Sequence, residues 1–175
     1  MIRRFKELLF FVLFVSLQAL VINNIRMFGV ITPFVYLYVL LKFRIDISRS
    51  ALIIVSFLLG LIMDVFSNTY GIHAAACTLT GFVREPLLER FVDMKDLPEG
   101  STPSFHQFGF VKFLRYTLIL VSLHHLVLFS IDSFSFKQPF LLIVRLCSSI
   151  ILTSLLIVVI ESFNLKKVKS GERPV

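Results

Sequence analysis

The chain has 175 residues, of which 57% are hydrophobic, and its mean hydropathy is +0.87. A soluble domain of this length needs more polar residues than this to cover its surface, so the composition predicts an integral membrane protein. The apolar runs are continuous and do not alternate with polar residues, which indicates helices and excludes the pattern of a membrane β-barrel.

Six apolar segments follow one another along the chain and predict an all-α bundle of six transmembrane helices. They are Leu8–Ile22, Gly29–Leu41, Ala51–Phe66, Gly71–Val83, Phe113–Ile131 and Pro139–Ile160. A helix needs about 17–25 residues to cross a bilayer, so the second and fourth segments are short. We expect one transmembrane domain over residues 1–175, with no separate soluble domain.

The distribution of basic residues decides whether the short segments cross. With six crossings and an inner N-terminus, 15 of the 18 lysines and arginines fall in inner segments, and only Arg26 and Lys137 fall outside. Removing either short segment would move later basic loops outside. The positive-inside rule therefore predicts six crossings with both termini cytoplasmic. This topology also explains the net charge of +7 without a nucleic-acid partner.

The second segment contains Thr32-Pro33, a pair typical of a helix N-cap followed by its first residue. A helix from Pro33 to Phe43 would be about 16 Å long, too short to cross alone. Met27–Ile31 would then descend as irregular backbone, which requires protein around it instead of lipid. The alternative is an ordinary tilted helix with a proline kink.

The longest stretch between apolar segments is the inner loop at about 84–112. Its first part places apolar side chains on one side and charged ones elsewhere, as in a helix lying at the inner membrane surface. The apolar set is Leu87, Leu88, Phe91, Met94 and Leu97, and the charged set is Glu89, Arg90, Asp93 and Asp96. A short basic cytoplasmic tail at 164–175 ends the chain.

Enzyme motifs are missing: there is no phosphate-binding glycine-rich loop and no His/Cys set with metal-ligand spacing, so we predict no catalytic activity and no cofactor. What remains are polar residues inside apolar segments, which usually face the interior of a bundle. The candidates are Asp64, His73, His124 and Arg145. A hairpin centred near Phe134-Ser135 would set His124 level with Arg145, which makes an Asp64–Arg145 ion pair a candidate.

Three interpretations of these residues stay open: separate groups in interfacial water, a structural polar cluster, or a ligand site. Small residues surround Asp64. Gly60 lies one turn before it, and the next helix carries three small pairs spaced by four residues: Gly71–Ala75, Ala74–Thr78 and Cys77–Gly81. Such spacing lets membrane helices approach closely, so we predict a tight hairpin of the third and fourth helices.

The stretch GLIMDVFSNTYGIHAAACTLTGF, residues 60–82, resembles the signature region of the rod-shape-determining protein MreD family. That family shows Gly-Leu, an aspartate three residues after the leucine, a short turn, and a glycine that opens a helix of small residues. The matching positions here are Gly60, Leu61, Asp64 and Gly71. Size, hydropathy and basic inner loops also fit. The motif covers some 20 residues, and the inner loop around Pro98–Ser104 is longer than is typical of the family.

The resemblance implies a multi-pass protein of the bacterial cytoplasmic (inner) membrane that acts as a scaffold in the cell-elongation machinery for peptidoglycan synthesis. It implies MreC as a partner, and through MreC the MreB filament, RodA and a class B penicillin-binding protein, with membrane lipid around it. It also implies a fold like the membrane substrate-binding subunit of energy-coupling-factor vitamin transporters. Such a transporter subunit is the alternative function. A lipid-modifying enzyme is disfavoured, because Asp64 stands alone in its helix.

Overall fold

The computed structural model describes residues 2–20, 32–92, 97–98, 100–133 and 139–169. Within these ranges the chain is helical and forms no strand. The helices are α1 (Ile2–Leu20), α2 (Leu37–Leu41), α3 (Arg49–Ser67), α4 (Ile72–Phe91), α5 (Phe105–Phe108), α6 (Phe110–Asp132) and α7 (Pro139–Lys169). The all-helical class is therefore confirmed.

Among the described residues, three helices are long and apolar enough to cross a bilayer: Arg49–Ser67, Phe110–Asp132 and the part of α7 from Pro139 to Phe163. Each has at least 19 residues, which corresponds to about 28 Å or more of helix. Since a bilayer core is about 30 Å thick, these lengths match it. They agree with the third, fifth and sixth predicted segments.

Helices α3, α4, α6 and α7 pack side by side in chain order, and α1 and α2 lie against them. The outer faces of the long helices carry exposed leucine, isoleucine, valine and phenylalanine side chains. The buried core contains the whole of α2, from Leu37 to Leu41. An apolar exterior around a partly polar interior is the arrangement expected of a protein surrounded by lipid.

The second predicted helix is wrong in extent. Thr32–Phe34 are not helical, a turn follows, and α2 begins only at Leu37. Tyr36 provides the N-cap residue, without a side-chain hydrogen bond, so the Thr32-Pro33 cap is also wrong. The physical reason is competition, because the backbone N–H groups just before α2 bind side chains of other helices. The predicted irregular stretch Met27–Ile31 lies outside the described residues.

The predicted surface helix of the inner loop is a continuation of α4, which runs on to Phe91 and includes Pro86. Leu88 is buried while Glu89 and Arg90 are exposed, so the predicted division into two faces is confirmed over this part. Met94, Asp93 and Asp96 lie outside the described residues. Further along the loop, Phe105 of α5 packs edge-on against Phe113 of α6, with ring centroids 4.8 Å apart. The loop thus closes one end of the bundle.

Helices α3 and α4 form the predicted tight hairpin. A Cβ on Gly60 would overlap the carbonyl oxygen of His73 and lie 2.5 Å from the Cα of Ala74. Two turns lower, a Cβ on Gly81 would overlap the Oγ of Ser56 and lie 2.8 Å from its Cβ. Small side chains at these two levels are what allow the two helices to approach closely.

The contact between Ser56 and Gly81 predicts a size-swap result. Gly81→Ala should destabilise the hairpin by about 1–3 kcal/mol, because the added methyl group overlaps a side chain in a packed seam. Adding Ser56→Gly should restore part of that loss, since the remaining neighbour, the Leu52 carbonyl oxygen, is 3.7 Å away. Thermal unfolding in detergent measures both effects. A double variant no more stable than Gly81→Ala would contradict this packing.

Candidate functional site

The most unusual feature of the interior is the central segment, residues 32–41, which runs through the bundle as irregular backbone followed by α2. From Phe34 to Leu41 each residue is at most 4% exposed. Buried non-helical backbone leaves N–H and C=O groups that need partners. The protein supplies them with side chains, so the condition that irregular backbone be surrounded by protein is met for this segment.

Two helices provide these partners. Gln18 of α1 accepts a hydrogen bond from the Val35 N–H at 2.7 Å and donates one to the Pro33 carbonyl at 3.0 Å. On α7, Ser149 accepts from the Thr32 N–H at 3.2 Å, and Thr153 accepts from the Phe34 N–H at 3.1 Å. The fixed non-helical conformation before α2 therefore depends on three polar side chains from α1 and α7.

His125 extends this arrangement into α6 and has one consistent protonation pattern. Its Nδ1 lies 2.8 Å from the Val121 carbonyl, so Nδ1 carries the proton and donates. Its Nε2 is then an acceptor, 3.2 Å from the Thr153 hydroxyl. The Thr153 oxygen in turn accepts from Phe34 N–H. The chain of hydrogen bonds from α6 through α7 to the central segment is complete with a neutral histidine.

Tyr36, His73, His124 and Cys77 form a second group, which we call the Tyr36 cluster. Tyr36 lies at its centre. The Tyr36 hydroxyl lies 3.0 Å from His73 Nδ1 and 2.8 Å from His124 Nε2, and Cys77 Sγ lies 3.8 Å from the same oxygen. Tyr36 and His124 are fully buried, and His73 is 5% exposed. A hydroxyl has one proton, so it donates to one histidine and accepts from the other.

The edge of this cluster is aromatic. The Phe34 ring meets the rings of His73 and His124 edge-on at 5.5 and 5.9 Å between centroids. His124 Nδ1 is buried and has no hydrogen-bond partner among the described residues. Two of the predicted residues, His73 and His124, are thus brought together through Tyr36, although the sequence analysis did not single out Tyr36.

Of the interpretations left open for Asp64, its contacts support a structural one, within the α3–α4 hairpin. Its Oδ1 accepts hydrogen bonds from the Thr69 hydroxyl at 2.5 Å and from the His73 N–H at 3.0 Å, and its Oδ2 accepts from the Ala74 N–H at 2.9 Å. These N–H groups belong to the first turn of α4, where a helix has unpaired donors and a partial positive charge. Asp64 therefore caps α4 from the end of α3.

Arg145 does not pair with Asp64. Its Nη1 lies 3.2 Å from Asp132 Oδ2, and its guanidinium stacks over Phe129 with Cζ 4.6 Å from the ring centroid. The predicted register of the α6–α7 hairpin was wrong: the Asp132–Arg145 and His125–Thr153 pairs are both centred near residue 139, about four residues beyond the predicted centre. His124 is consequently not level with Arg145.

These contacts predict unequal results for the two residues. Asp64→Asn should cost about 1–3 kcal/mol, because an amide retains one acceptor oxygen for three donors and leaves a buried N–H unpaired. Arg145→Gln should cost about 0–1 kcal/mol, since its pair with Asp132 is about one-third exposed. The double variant should show the sum of the two losses. A double variant more stable than Asp64→Asn alone would contradict this result and support the hypothesis of an Asp64–Arg145 ion pair.

Gly71, another residue of the predicted site, has a positive φ of 84° and is the N-cap residue of α4. A Cβ there would have no neighbour within 4 Å. Its role is therefore conformational, because the left-handed region disfavours residues with a Cβ. The expectation that Gly71 is needed for close packing was wrong, whereas for Gly60 the close approach is present.

Two further polar clusters hold the other end of the central segment, and sequence analysis missed both. Arg84 is buried, donates to the Tyr116 hydroxyl at 3.0 Å, and reaches the carbonyls of Leu41 and Phe43. The sequence predicts Arg84 in the inner loop. Its guanidinium instead supplies donors to carbonyls at and just beyond the C-terminus of α2, where a cation is favoured.

The second of these clusters is a buried ion pair. Lys42 Nζ lies 3.1 Å from Glu161 Oε1 and 2.7 Å from the Pro103 carbonyl, and the Tyr38 hydroxyl donates to Glu161 Oε2 at 2.6 Å. Burial lowers the pKa of Lys42, and the neighbouring Glu161 carboxylate opposes that shift. A signal for this cluster was present, since Glu161 is the one acidic residue in the sequence of α7.

The chemistry of the site is hydrogen bonding to fixed backbone and between side chains, together with the buried ion pair of Lys42 and Glu161. Among the described residues, no three His, Cys, Asp or Glu side chains are placed to hold a metal ion. The polar groups of the Tyr36 cluster contact one another at the centre of the bundle.

Comparisons with known proteins gave no match: no family model, no curated protein and no solved structure is significantly similar to this chain.

Proposed function

We propose that this chain is a membrane scaffold of the bacterial cell-elongation machinery, as its resemblance to the MreD family implies. In this proposal it lies in the inner membrane, binds MreC there, and acts through MreC on MreB, RodA and a class B penicillin-binding protein. The observation that carries the proposal is that the residues of the MreD-like motif hold the α3–α4 hairpin together. Gly60 and Asp64 contact His73 and Ala74 of α4, and Gly71 sets the turn before them.

A motif whose residues fix one hairpin supports an architectural function. The central segment supports it too, because the bundle centre is filled by Phe34 and Tyr36, which are at most 4% exposed. One observation favours the alternative, a substrate-binding subunit of an energy-coupling transporter: His124 Nδ1 is a buried polar atom without a partner in the described residues. A ligand entering the Tyr36 cluster would find that atom free.

Partner recovery separates the two functions. The chain, carrying an affinity tag, is purified from its native membrane in mild detergent and the co-purified proteins are identified by mass spectrometry. We expect MreC, and its recovery should fall with Gly60→Leu, which disrupts the hairpin, and persist with Arg145→Gln as the matched control. Recovery of a transporter ATPase in place of MreC would overturn the scaffold proposal.

Topology provides an independent prediction. With six crossings and both ends cytoplasmic, reporter fusions after Ser48, Asn68, Gly100 and Ser135 should report inside, outside, inside and outside. The reason is the distribution of basic residues predicted from the sequence, 14 in inner and 2 in outer segments once the buried Arg84 is left out. Alkaline phosphatase and green fluorescent protein fusions measure the two locations. A phosphatase fusion at Gly100 that is active would mean that fewer than six segments cross the membrane. The six-helix architecture that both proposed functions share would then be wrong.

A further inference from the structure

An apolar groove runs along the outside of the α3–α4 hairpin. Its volume is about 700 Å³, and its lining runs from Ile53 to Leu61 on α3 and from Gly71 to Phe82 along α4. The one hydroxyl in it, on Thr78, donates to the Ala74 carbonyl of its own helix at 2.7 Å. The surface of the groove is therefore suited to hydrocarbon.

The groove lies beside the seam that joins the two helices and shares Ala74 with it. The seam uses Gly60 and Gly81, whereas the groove walls Phe57, Leu61 and Phe82 are 42–47% exposed. Along α4 the groove extends from Gly71 to Phe82, about 16 Å at 1.5 Å per residue. That is about half of a hydrocarbon core of about 30 Å, or the depth of one leaflet.

A pair of charges lies at one end of the groove. The guanidinium of Arg49, the first residue of α3, stacks over the groove residue Phe82 with Cζ 4.5 Å from the ring centroid. Its Nε lies 3.7 Å from Glu85 Oε2, which is an ionic contact beyond hydrogen-bonding distance. Arg49 is 49% and Glu85 33% exposed in their side chains.

Both charged groups have unused hydrogen-bonding capacity. Glu85 Oε2 is buried and has no hydrogen-bond partner in the part of the chain that the structure describes. The guanidinium of Arg49 has five N–H donors, and its one described ionic contact engages Nε. A ligand with an anion next to an ammonium group would complement this pair, and a hydrocarbon tail would fill the groove.

We propose that the α3–α4 groove binds phosphatidylethanolamine. The lipid phosphate lies on the Arg49 guanidinium, its primary ammonium donates to Glu85, and one acyl chain fills the groove. The charge pair favours a lipid over a partner helix, because a zwitterionic head group presents an anion and an ammonium side by side at the end of a hydrocarbon chain. This site is independent of the proposed partner MreC.

Native mass spectrometry of the purified, delipidated full chain tests the site. The protein is titrated separately with phosphatidylethanolamine, phosphatidylcholine and phosphatidylglycerol. We expect the first bound lipid to be phosphatidylethanolamine, about tenfold tighter than phosphatidylcholine, whose quaternary ammonium has no N–H to donate to Glu85. Equal affinities for the three lipids would show that lipid binding is non-specific and would overturn the proposal.

Variants assign the contacts. Arg49→Gln should weaken all three lipids, and Glu85→Gln should remove the preference for phosphatidylethanolamine over phosphatidylcholine. Ala75→Phe fills the groove and should abolish the first binding event. The matched controls are Arg115→Gln, an exposed arginine of α6, and Cys147→Phe, a small exposed residue of α7. Both should bind lipid as the unmodified chain does.

Folding and occupancy by protein are checked in the same samples. Each variant must unfold at the temperature of the unmodified chain, and because Ala75 is exposed we expect Ala75→Phe to do so. If Ala75→Phe is folded and binds phosphatidylethanolamine normally but no longer recovers a partner protein, the groove holds a helix and the lipid proposal is wrong.

Discussion

Gly60→Ala is expected to destabilise the protein by about 3 kcal/mol, the upper part of the range for overpacked cores. The added methyl group would overlap the His73 carbonyl oxygen and lie 2.5 Å from Ala74 Cα and 2.7 Å from Ala74 N. All three atoms are backbone, so no side-chain rotation relieves the overlap. The N–H groups of the same two residues bind Asp64, so moving the start of α4 also weakens its cap.

The matched control is Gly71→Ala, which adds the same methyl group eleven residues later in the same hairpin. Nothing lies within 4 Å of that position, but its φ of 84° is left-handed, so a loss of about 1–2 kcal/mol is expected. Because Cys77 is buried and Cys147 exposed, thiol labelling on heating reports unfolding as a new reactive cysteine. Equal melting temperatures for Gly60→Ala and the unmodified chain would show that the helices can separate at this level without loss.

The hairpin was the part of the site that sequence could predict. A glycine one turn before a lone aspartate, followed by a short turn and small residues, is a local pattern, and local patterns need no knowledge of the remaining fold. Sequence could not identify the groups that Asp64 binds, since backbone N–H donors are present at every residue. It also misassigned Gly71, because a glycine chosen for φ and one chosen for space look the same in a sequence.

Contacts between distant segments were beyond prediction for a different reason. The Asp64–Arg145 hypothesis depended on the register of the α6–α7 hairpin. Moving the centre of an antiparallel hairpin by about four residues moves each pairing partner by about eight residues, or more than two helical turns. Gln18, Ser149 and Thr153 bind the central segment across 15 to 119 residues of sequence. The sequence shows that these side chains are polar. It does not show that they bind irregular backbone, because only regular helices and strands produce a periodic pattern. Helix α2 was overestimated for the same reason.

The Lys42–Glu161 pair leads to the second large effect. Lys42→Met should cost about 3–5 kcal/mol, because Glu161 is 1% exposed and, among the described residues, would keep the Tyr38 hydroxyl alone as a hydrogen-bond partner. Glu161→Leu should cost a similar amount, since it leaves the Lys42 ammonium, with a side chain 15% exposed, on the Pro103 carbonyl and removes the acceptor of Tyr38. Thermal unfolding of each variant in the same detergent measures these losses.

The double variant Lys42→Met with Glu161→Gln distinguishes a buried pair from two independent sites. Glutamine keeps an acceptor for the Tyr38 hydroxyl and carries no charge, so neither partner is left as an uncompensated ion. We expect this double variant to be more stable than Lys42→Met alone, which is a coupling that independent residues do not show. The exposed Asp132–Arg145 pair is the control, where Asp132→Asn and Arg145→Gln should each cost about 0–1 kcal/mol. If the double variant loses the sum of what Lys42→Met and Glu161→Gln lose separately, the two charges are stabilised separately, by water or by backbone, and the pair does not hold α2 to α7.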